Sequence, residues 1–321
     1  MASIADSYSE WTPLPMSRLL KALRSNRVLL MDGAMGSELR RDGLADDECG
    51  ELWNLILPDR VAAIHQAYVD AGAECLLTNT FQANRPTLAK HGLEDKLEDI
   101  CESAVAIARS VAGETGFVLA DIGPVVAPGV QAPSDAKSLE ELIPDLADVD
   151  GVLLETYSDP LALFTVKHCR VVSWADGVPV LLSLTYQRDP SGDLCSHSRH
   201  PPEWFAMQAK QFGVAALGVN CGRGIGMDDV IEIIRRYRQV TDLPLFARPN
   251  AGTPWREGDD WVYPQSPQAM AARLPELFEA GATMIGGCCG TTPEHIAAFR
   301  DVVDNWNAHH RSGSRRPEAG R

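Results

Sequence analysis

Short apolar runs alternate with stretches of helical periodicity along almost the whole 321-residue chain. In the helical stretches, apolar residues return every three or four positions, as at Val61, Ile64 and Tyr68, which is typical of amphipathic helices. The apolar runs between them are short enough to be buried strands. They predict eight strands, at residues 27–32, 74–81, 117–122, 151–157, 179–186, 215–221, 244–250 and 283–289.

Glycines end several of the predicted helices just before the next strand. Gly72, Gly213 and Gly281 each suit the left-handed conformation that closes a helix and turns the chain. Eight alternations of strand and helix close most simply as a single-domain (β/α)₈ TIM barrel, in which apolar strands are buried on both faces. We therefore predict an α/β protein of this class.

The ends of the chain differ from the barrel region in composition. We predict that residues 1–26 form an N-terminal extension and that the barrel covers residues 27–306. Residues 307–321 are rich in histidine, arginine and glycine and have no apolar period, which predicts a disordered tail.

Charge and hydropathy exclude some classes of partner. A formal net charge of −15 disfavours attraction to nucleic acid or to anionic membranes. No run of about 18 apolar residues indicates a membrane span, and the first 17 residues lack the basic start and apolar core of an export signal. We expect a cytoplasmic protein without a nucleic-acid or membrane partner.

Polar side chains collect at the carboxyl ends of the predicted strands, where barrel enzymes place their chemistry. The sequence has no phosphate loop and no dinucleotide fingerprint after the first strand, so no motif predicts nucleotide binding. The strand-end residues are Asp32, Thr78, Asn79, Thr80, Asp121, Glu155, Thr156, Ser183, Thr185, Asn220, Cys221, Asn250, Cys288 and Cys289.

Three of these residues are thiols, Cys221 in a Gly-Val-Asn-Cys-Gly segment and Cys288 and Cys289 in Gly-Gly-Cys-Cys-Gly. Neighbours on a regular strand point to opposite sides, but the flanking glycines let the chain turn so that both sulfurs face inward. Thiolates favour zinc, and three protein ligands leave its fourth position open. The alternative is buried cysteines or a disulfide, which would leave one thiol unpaired.

The thiolate-rich set predicts the kind of chemistry. Three thiolates donate so much charge that a bound zinc ion is a weak Lewis acid toward water, which disfavours a zinc hydrolase. A thiol that coordinates the ion is deprotonated outright and becomes a nucleophile near neutral pH. We therefore expect activation of an incoming thiol.

Two carboxylates complete a candidate substrate pocket. Asp32 ends the first strand and Glu155 the fourth, and an ammonium group would pair them, while amides near Gly33 and Ala34 could receive a carboxylate. The alternative is a cap or a salt bridge to a barrel lysine or arginine. Aromatic faces attract onium groups, and Trp53 is the aromatic residue that we select as a possible contact for one.

Two histidines, His197 and His200, lie in a polar loop after the fifth strand. This setting fits a lid or a surface loop, and we leave both outside the site.

In combination, these segments resemble the homocysteine S-methyltransferase family, which includes betaine- and S-methylmethionine-dependent enzymes and the N-terminal barrel of cobalamin-dependent methionine synthase. The resemblance extends from about Leu29 to Phe299. The matching segments are Met31-Asp-Gly-Ala-Met-Gly36, Leu77-Thr-Asn-Thr-Phe81, Ala120-Asp-Ile-Gly-Pro124, Leu154-Glu-Thr156, Gly218-Val-Asn-Cys221, Arg248-Pro-Asn-Ala-Gly252 and Gly286-Gly-Cys-Cys-Gly-Thr-Thr-Pro-Glu-His295.

The resemblance implies a zinc barrel for methionine biosynthesis, with Cys221, Cys288 and Cys289 as the metal ligands. Asp32 and Glu155 match the positions that hold the homocysteine amino group, and Gly33 and Ala34 lie where its carboxylate is received. A zinc-bound homocysteine thiolate would attack the methyl group of a donor. Because an onium donor leaves as a neutral molecule, no separate protein acid or base is expected.

The donor is less closely defined. Gln82 stands where betaine enzymes carry a tyrosine that contacts the donor, which favours S-methylmethionine or S-adenosylmethionine. The alternatives are a barrel subunit that receives methyl groups from a separate corrinoid protein, and a zinc- and thiol-binding barrel without catalytic activity.

Overall fold

The computed structural model describes residues 17–25, 27–124, 148–172, 178–258 and 260–310. Eight parallel strands within these ranges form one sheet, and each lies inside or overlaps a predicted strand. Their bounds are β1 Leu29–Leu30, β2 Cys75–Leu77, β3 Phe117–Ile122, β4 Gly151–Tyr157, β5 Val180–Leu184, β6 Ala216–Asn220, β7 Leu245–Arg248 and β8 Ala282–Ile285.

The sheet closes on itself as a barrel. Each strand pairs with the next along the chain from β2 to β8, and β8 then pairs with β1. A parallel bridge between Met31 and Cys75 joins β1 to β2, and the Asp32 amide donates to the Cys75 carbonyl at 2.9 Å. The predicted (β/α)₈ barrel is confirmed.

Helices surround the barrel and bury their apolar faces against it. Gly72 and Gly281, which follow two of them, adopt φ values of +96° and +112°, as predicted for helix ends. The helices in the described residues are α1 Arg18–Leu23, α2 Met35–Arg41, α3 Trp53–Ile56, α4 Pro58–Asp70, α5 Arg85–Leu88, α6 Leu97–Ala112, α7 Leu161–Val172, α8 Pro202–Ala209, α9 Met227–Val240, α10 Pro267–Ala271, α11 Leu274–Ala280 and α12 Pro293–His310, with 3₁₀ turns at Gly50–Leu52, Ala89–His91 and Glu94–Lys96.

Two short antiparallel hairpins lie outside the barrel sheet. One pairs Gln187–Arg188 with Leu194–Cys195, and the other pairs Trp255–Glu257 with Asp260–Val262. Both follow barrel strands, so they belong to the carboxyl-end side, where the predicted site lies.

Alternating side chains of the strands fill the interior of the barrel with a separate apolar cluster. Helix α1 adds Leu19, Leu20 and Leu23 to this cluster, so it closes the amino end. Ser17 caps this helix by accepting from the Leu20 amide at 3.2 Å. The strand members are Leu29, Met31, Cys75, Leu77, Phe117, Leu119, Leu153, Leu181, Ala216, Phe246 and Met284.

The ends of the chain differ from the predicted boundaries where the structure describes them. Part of the predicted extension is the helix that closes the barrel, because its leucines are buried. Helix α12 continues to His310, so residues 307–310 are helical. Asn307 is buried, and its side-chain amide donates to the Val28 carbonyl and accepts from the Val28 amide. The rest of the predicted tail, residues 311–321, lies outside the described residues.

The structure also bears on membrane insertion. Within the described ranges, no helix combines the length and the apolar character that a membrane span requires.

Candidate metal and substrate site

Three thiols meet above the barrel between the ends of β6 and β8. Cys288 and Cys289 lie beyond the last residue of β8, in a turn, so the rule of opposite faces does not apply to them. The turn is fixed because the Cys288 amide donates to the Pro249 carbonyl at 3.0 Å and the Cys289 carbonyl accepts from the Ala251 amide at 3.0 Å. The backbone therefore directs neighbouring sulfurs to one side.

Glycines give this turn its close packing. A Cβ on Gly287 would lie 2.1 Å from Thr291 Oγ1, and Gly290, at φ +79°, lies against the ring of Tyr263. On the other side of the cluster, Cys221 itself adopts φ +53°, the left-handed region that a non-glycine residue rarely occupies. Such strain is typical of functional sites.

The three sulfurs are close enough to share one ion. Cys289 Sγ lies 3.9 Å from both Cys221 Sγ and Cys288 Sγ, and all three sulfurs are within 4.8 Å of one another. Hydrogen bonds from the Cys288 and Cys289 thiols lower the pKa of Cys221 to about 3, although burial opposes this shift. The positions of the three sulfurs could hold one metal ion.

Two asparagines contact the sulfurs through their side-chain amides. Asn220 Nδ2 lies 3.6 Å from Cys288 Sγ, and Asn250 Nδ2 lies 3.6 Å from Cys221 Sγ, so both can donate to sulfur. Asn220 Oδ1 accepts from Ser183 Oγ at 2.6 Å, which fixes its amide. Such outer partners orient metal ligands.

The two predicted carboxylates come together, but on an arginine. Arg248, at the end of β7, donates to Asp32 Oδ1 at 3.1 Å and to Glu155 Oε1, and its side chain is only 4% exposed. The second oxygen of Asp32 accepts from the Leu77 amide at 2.7 Å. The structure therefore shows the salt bridge that the sequence left open as the alternative.

Burial dominates the electrostatics of these acids. It raises the pKa of Asp32 to about 7, although the Arg248 guanidinium and the Leu77 amide oppose the shift. Burial likewise raises the pKa of Glu155 to about 7 against the same guanidinium. Carboxylates with such raised pKa values in a cleft indicate a functional site.

One cavity of about 1120 Å³ contains both groups. Its floor includes the three thiols and the carboxylates, and Gln82 belongs to its wall. Trp261, half exposed on the hairpin after β7, and Tyr263 form part of its mouth. The sulfurs, the acids and these two aromatic side chains therefore line the same cavity.

The other predicted contacts occupy different positions. Gly33 and Ala34 line the cavity, but the Ala34 amide donates to Thr291 Oγ1 at 3.2 Å. Trp53 is buried with the Arg60 guanidinium 5.5 Å from its ring centroid and is not among the cavity-lining residues, so its role as a donor contact stays a prediction.

The two loop histidines lie away from the site. His197 is exposed, and the His200 ring packs 4.2 Å from that of Trp204. Neither lines the cavity.

Sequence reasoning named Asp121, Arg248 and Asn250 without giving them a site role. All three carry a signal, because Asp121 and Arg248 lie in the last two residues of their strands and Asn250 lies two residues beyond β7, at the ends where barrel chemistry is placed. Arg248 is also two positions after the inward-facing Phe246, so strand alternation points its side chain into the barrel.

Comparison with known proteins identifies the family of the chain. Residues 29–303 match the family described as homocysteine S-methyltransferase. The chain belongs to the homocysteine S-methyltransferase family. In this chain, the three thiols, Asp32 and Glu155 line one cavity.

Two curated relatives of this homocysteine S-methyltransferase family member are methionine synthases. The chain is 31% identical to that of Mycobacterium tuberculosis (strain ATCC 25618 / H37Rv) over 88% of its own length, and 31% identical to that of Mycobacterium leprae (strain TN) over 90%. It spans 25% of the length of each.

A solved structure is similar over nearly the whole chain. The metallated form of the homocysteine methyltransferase MmuM from Escherichia coli aligns with a TM-score of 0.68 and 25% identity. The alignment covers 89% of this chain and 99% of MmuM.

Proposed function

We propose that this protein is a zinc-dependent homocysteine S-methyltransferase that forms methionine. The observation that carries the proposal is the cluster of three thiols on the same cavity as a buried acidic pocket, in a chain of this family. The first feature suits a thiol substrate and the second suits an amino acid.

The thiol cluster fits zinc. With zinc–sulfur bonds of about 2.3 Å, the sulfurs of a tetrahedral site lie about 3.8 Å apart, and the two measured separations from Cys289 Sγ are 3.9 Å. Cys221, Cys288 and Cys289 would hold the ion. Bound zinc supplies an open position at which a thiol loses its proton near neutral pH.

The residues of the chain position the substrate. Asp32 and Glu155 give the pocket its acidic wall, and Gly33 and Ala34 border it, which supports binding of an amino acid beside the thiols. The substrate thiolate then attacks the donor methyl carbon in line, the bond from that carbon to the donor atom breaks, and methionine forms. An onium donor leaves as a neutral molecule, so alignment rather than proton transfer carries the catalysis.

The mouth of the cavity supports an onium donor. Trp261 lines the cavity there, and the Arg256 guanidinium lies 5.2 Å from its ring centroid. The opposite face of the ring would attract a sulfonium or ammonium group. We favour S-methylmethionine or S-adenosylmethionine. Delivery from a separate corrinoid protein is the second candidate, because two relatives of this chain are methionine synthases of about four times its matched length.

The test is a donor panel. Zinc-loaded protein receives homocysteine with S-methylmethionine, S-adenosylmethionine, betaine or methylcobalamin, and methionine is quantified by mass spectrometry. We expect methionine with one of the first two donors and none from protein stripped by a chelator. Product with methylcobalamin alone would favour the corrinoid route, and no product with any donor would contradict methyl transfer by this chain.

A further inference from the structure

Strand β4 carries a bulge where it reaches the cavity. The register of its pairing with β5 shifts between Leu154 and Tyr157, which leaves two residues of β4 opposite Ser183. These two residues, Glu155 and Thr156, both line the cavity, although neighbours on a regular strand point to opposite faces. The bulge therefore brings a second polar side chain of β4, that of Thr156, to the site.

Thr156 holds a backbone conformation that threonine rarely adopts. Its φ of +63° lies in the left-handed region, which a side chain branched at Cβ strongly disfavours. Such a conformation persists only where the surrounding structure holds it, and it is typical of functional sites. The fully buried side chain of Asn220, at the end of β6, supplies contacts that hold it.

Asn220 and Thr156 exchange two hydrogen bonds. The Thr156 amide donates to Asn220 Oδ1 at 3.2 Å, and Asn220 Nδ2 donates to Thr156 Oγ1 at 2.7 Å. Because a backbone N–H can only donate, it determines which atom of the Asn220 carboxamide is the oxygen at this position. The Ser183 hydroxyl donates to the same oxygen at 2.6 Å.

This orientation leaves the other hydrogen of Asn220 Nδ2 for a candidate metal ligand. Nδ2 lies 3.6 Å from Cys288 Sγ. If the carboxamide were reversed, its oxygen would face the sulfur, and two acceptors would meet once Cys288 is a thiolate. An N–H that donates to a thiolate draws charge from the sulfur, so it adjusts the bond that the sulfur makes to a metal ion.

We propose that Thr156 is a positioning residue of the metal centre, which orients the Asn220 carboxamide so that Nδ2 donates to the Cys288 sulfur. The effect passes through Asn220. This inference rests on the proposed function for the presence of the metal ion. Since Glu155 belongs to the same bulge, the arrangement also ties the acidic wall of the cavity to a metal ligand.

The test alters the Thr156 hydroxyl and observes the metal centre without homocysteine or a methyl donor. Cobalt(II) is titrated into metal-free wild type, Thr156→Val, Thr156→Ser and Thr156→Gly, and the sulfur-to-cobalt charge-transfer band is recorded. Competition with zinc gives the affinity for zinc. Thr165→Val is the matched control, since Thr165 is 2% exposed and its hydroxyl donates to the Leu161 carbonyl within α7. Thermal melting measures the stability of each variant.

We expect Thr156→Val to weaken binding of both ions by about 10- to 100-fold and to shift the charge-transfer band, because Nδ2 loses the acceptor that holds it beside the sulfur. Thr156→Ser keeps the hydroxyl and should restore the affinity and the band of the wild type. Thr156→Gly relieves the left-handed backbone, so it should melt no lower than Thr156→Val and still lose the same affinity.

Thr165→Val should lower the melting temperature and leave the affinity and the band unchanged. The proposal would be overturned by wild-type binding in Thr156→Val or Thr156→Gly, by an equal loss in Thr165→Val, or by no recovery in Thr156→Ser. A wild type that binds neither ion would overturn the proposed function as well. Failure of methyl transfer alone is read separately in the donor panel, because these measurements contain no donor.

Discussion

Carboxylates occupy both ends of the barrel, but their surroundings differ. At the amino end, Asp150 precedes β4 and accepts from Arg18 at 3.1 Å, from Arg109 at 2.8 Å and from the Val118 amide at 2.9 Å. These donors outweigh burial and lower the pKa of Asp150. Each oxygen is satisfied, which is typical of a carboxylate that stabilises the fold.

At the carboxyl end, three buried acids lie near one guanidinium, which donates to two of them. Asp32 and Glu155 divide Arg248 between them, Asp121 retains an oxygen without a described donor, and burial raises their pKa values. A fully paired carboxylate stabilises the amino end of the barrel, whereas incompletely paired carboxylates at the carboxyl end can receive a charged ligand. Three predictions test this comparison.

The largest effect should come from the thiols, which belong to the carboxyl end alone. Cys289→Ala removes one of three candidate ligands, so we expect metal binding and methyl transfer to fall by more than the roughly 10- to 100-fold that loss of an outer partner costs. Metal analysis and the methionine assay measure this. Cys101→Ala, a buried helix cysteine, is the matched control. Full metal content in Cys289→Ala would contradict the site.

Replacing an arginine should lower the free energy of unfolding much more at the carboxyl end than at the amino end. Arg248→Met leaves Asp32 and Glu155 buried without their counter-charge, so we expect a loss of about 3 to 5 kcal/mol in the free energy of unfolding. Arg18→Met affects an arginine that is 43% exposed and should cost about 1 kcal/mol or less. Urea unfolding measures both, and equal losses would show that the ends do not differ.

The pH dependence of stability should have opposite signs at the two ends. The lowered pKa of Asp150 adds stability above its ordinary value of 3.8, and this is lost as pH falls. Asp32 has a pKa raised from 3.8 to about 7, so the folded state binds the extra proton and its contribution declines as pH rises between these values.

Two variants of the metal-free protein separate the contributions of Asp150 and Asp32 to the pH dependence of stability. Asp150→Asn should reduce the loss of stability at acid pH. It should also lower the free energy of unfolding by about 1 to 3 kcal/mol at neutral pH, since it weakens hydrogen bonds to a charged group. Asp32→Asn should flatten only the decline between about pH 4 and pH 7. Urea titrations from about pH 2 to pH 8 measure both contributions. If both substitutions changed the same part of the pH dependence, the proposed contrast would be wrong.

Much of the fold is predictable because its signals are local. Strands buried on both faces read as apolar runs, and Gly72 and Gly281 mark helix ends within a few residues of the next strand. The thiols are also visible, because cysteines at the ends of two strands form an unusual pattern. These features need no knowledge of distant contacts.

The remaining features depend on contacts between distant parts of the chain. Arg248 reaches Asp32 across 216 residues, so the sequence showed a carboxylate in need of a cation without showing which cation. Asn307 bonds Val28 across 279 residues, which holds the start of the predicted tail in the last helix. Composition alone does not record such pairings.

The three leucines of α1 fill the barrel from its amino end, so the described barrel has its working opening at the other end only. In the proposed transfer, thiol and methyl donor would then share one entrance, and the thiol has to reach the deeper position beside the sulfurs. The single entrance therefore follows from a short apolar helix on the opposite side of the molecule.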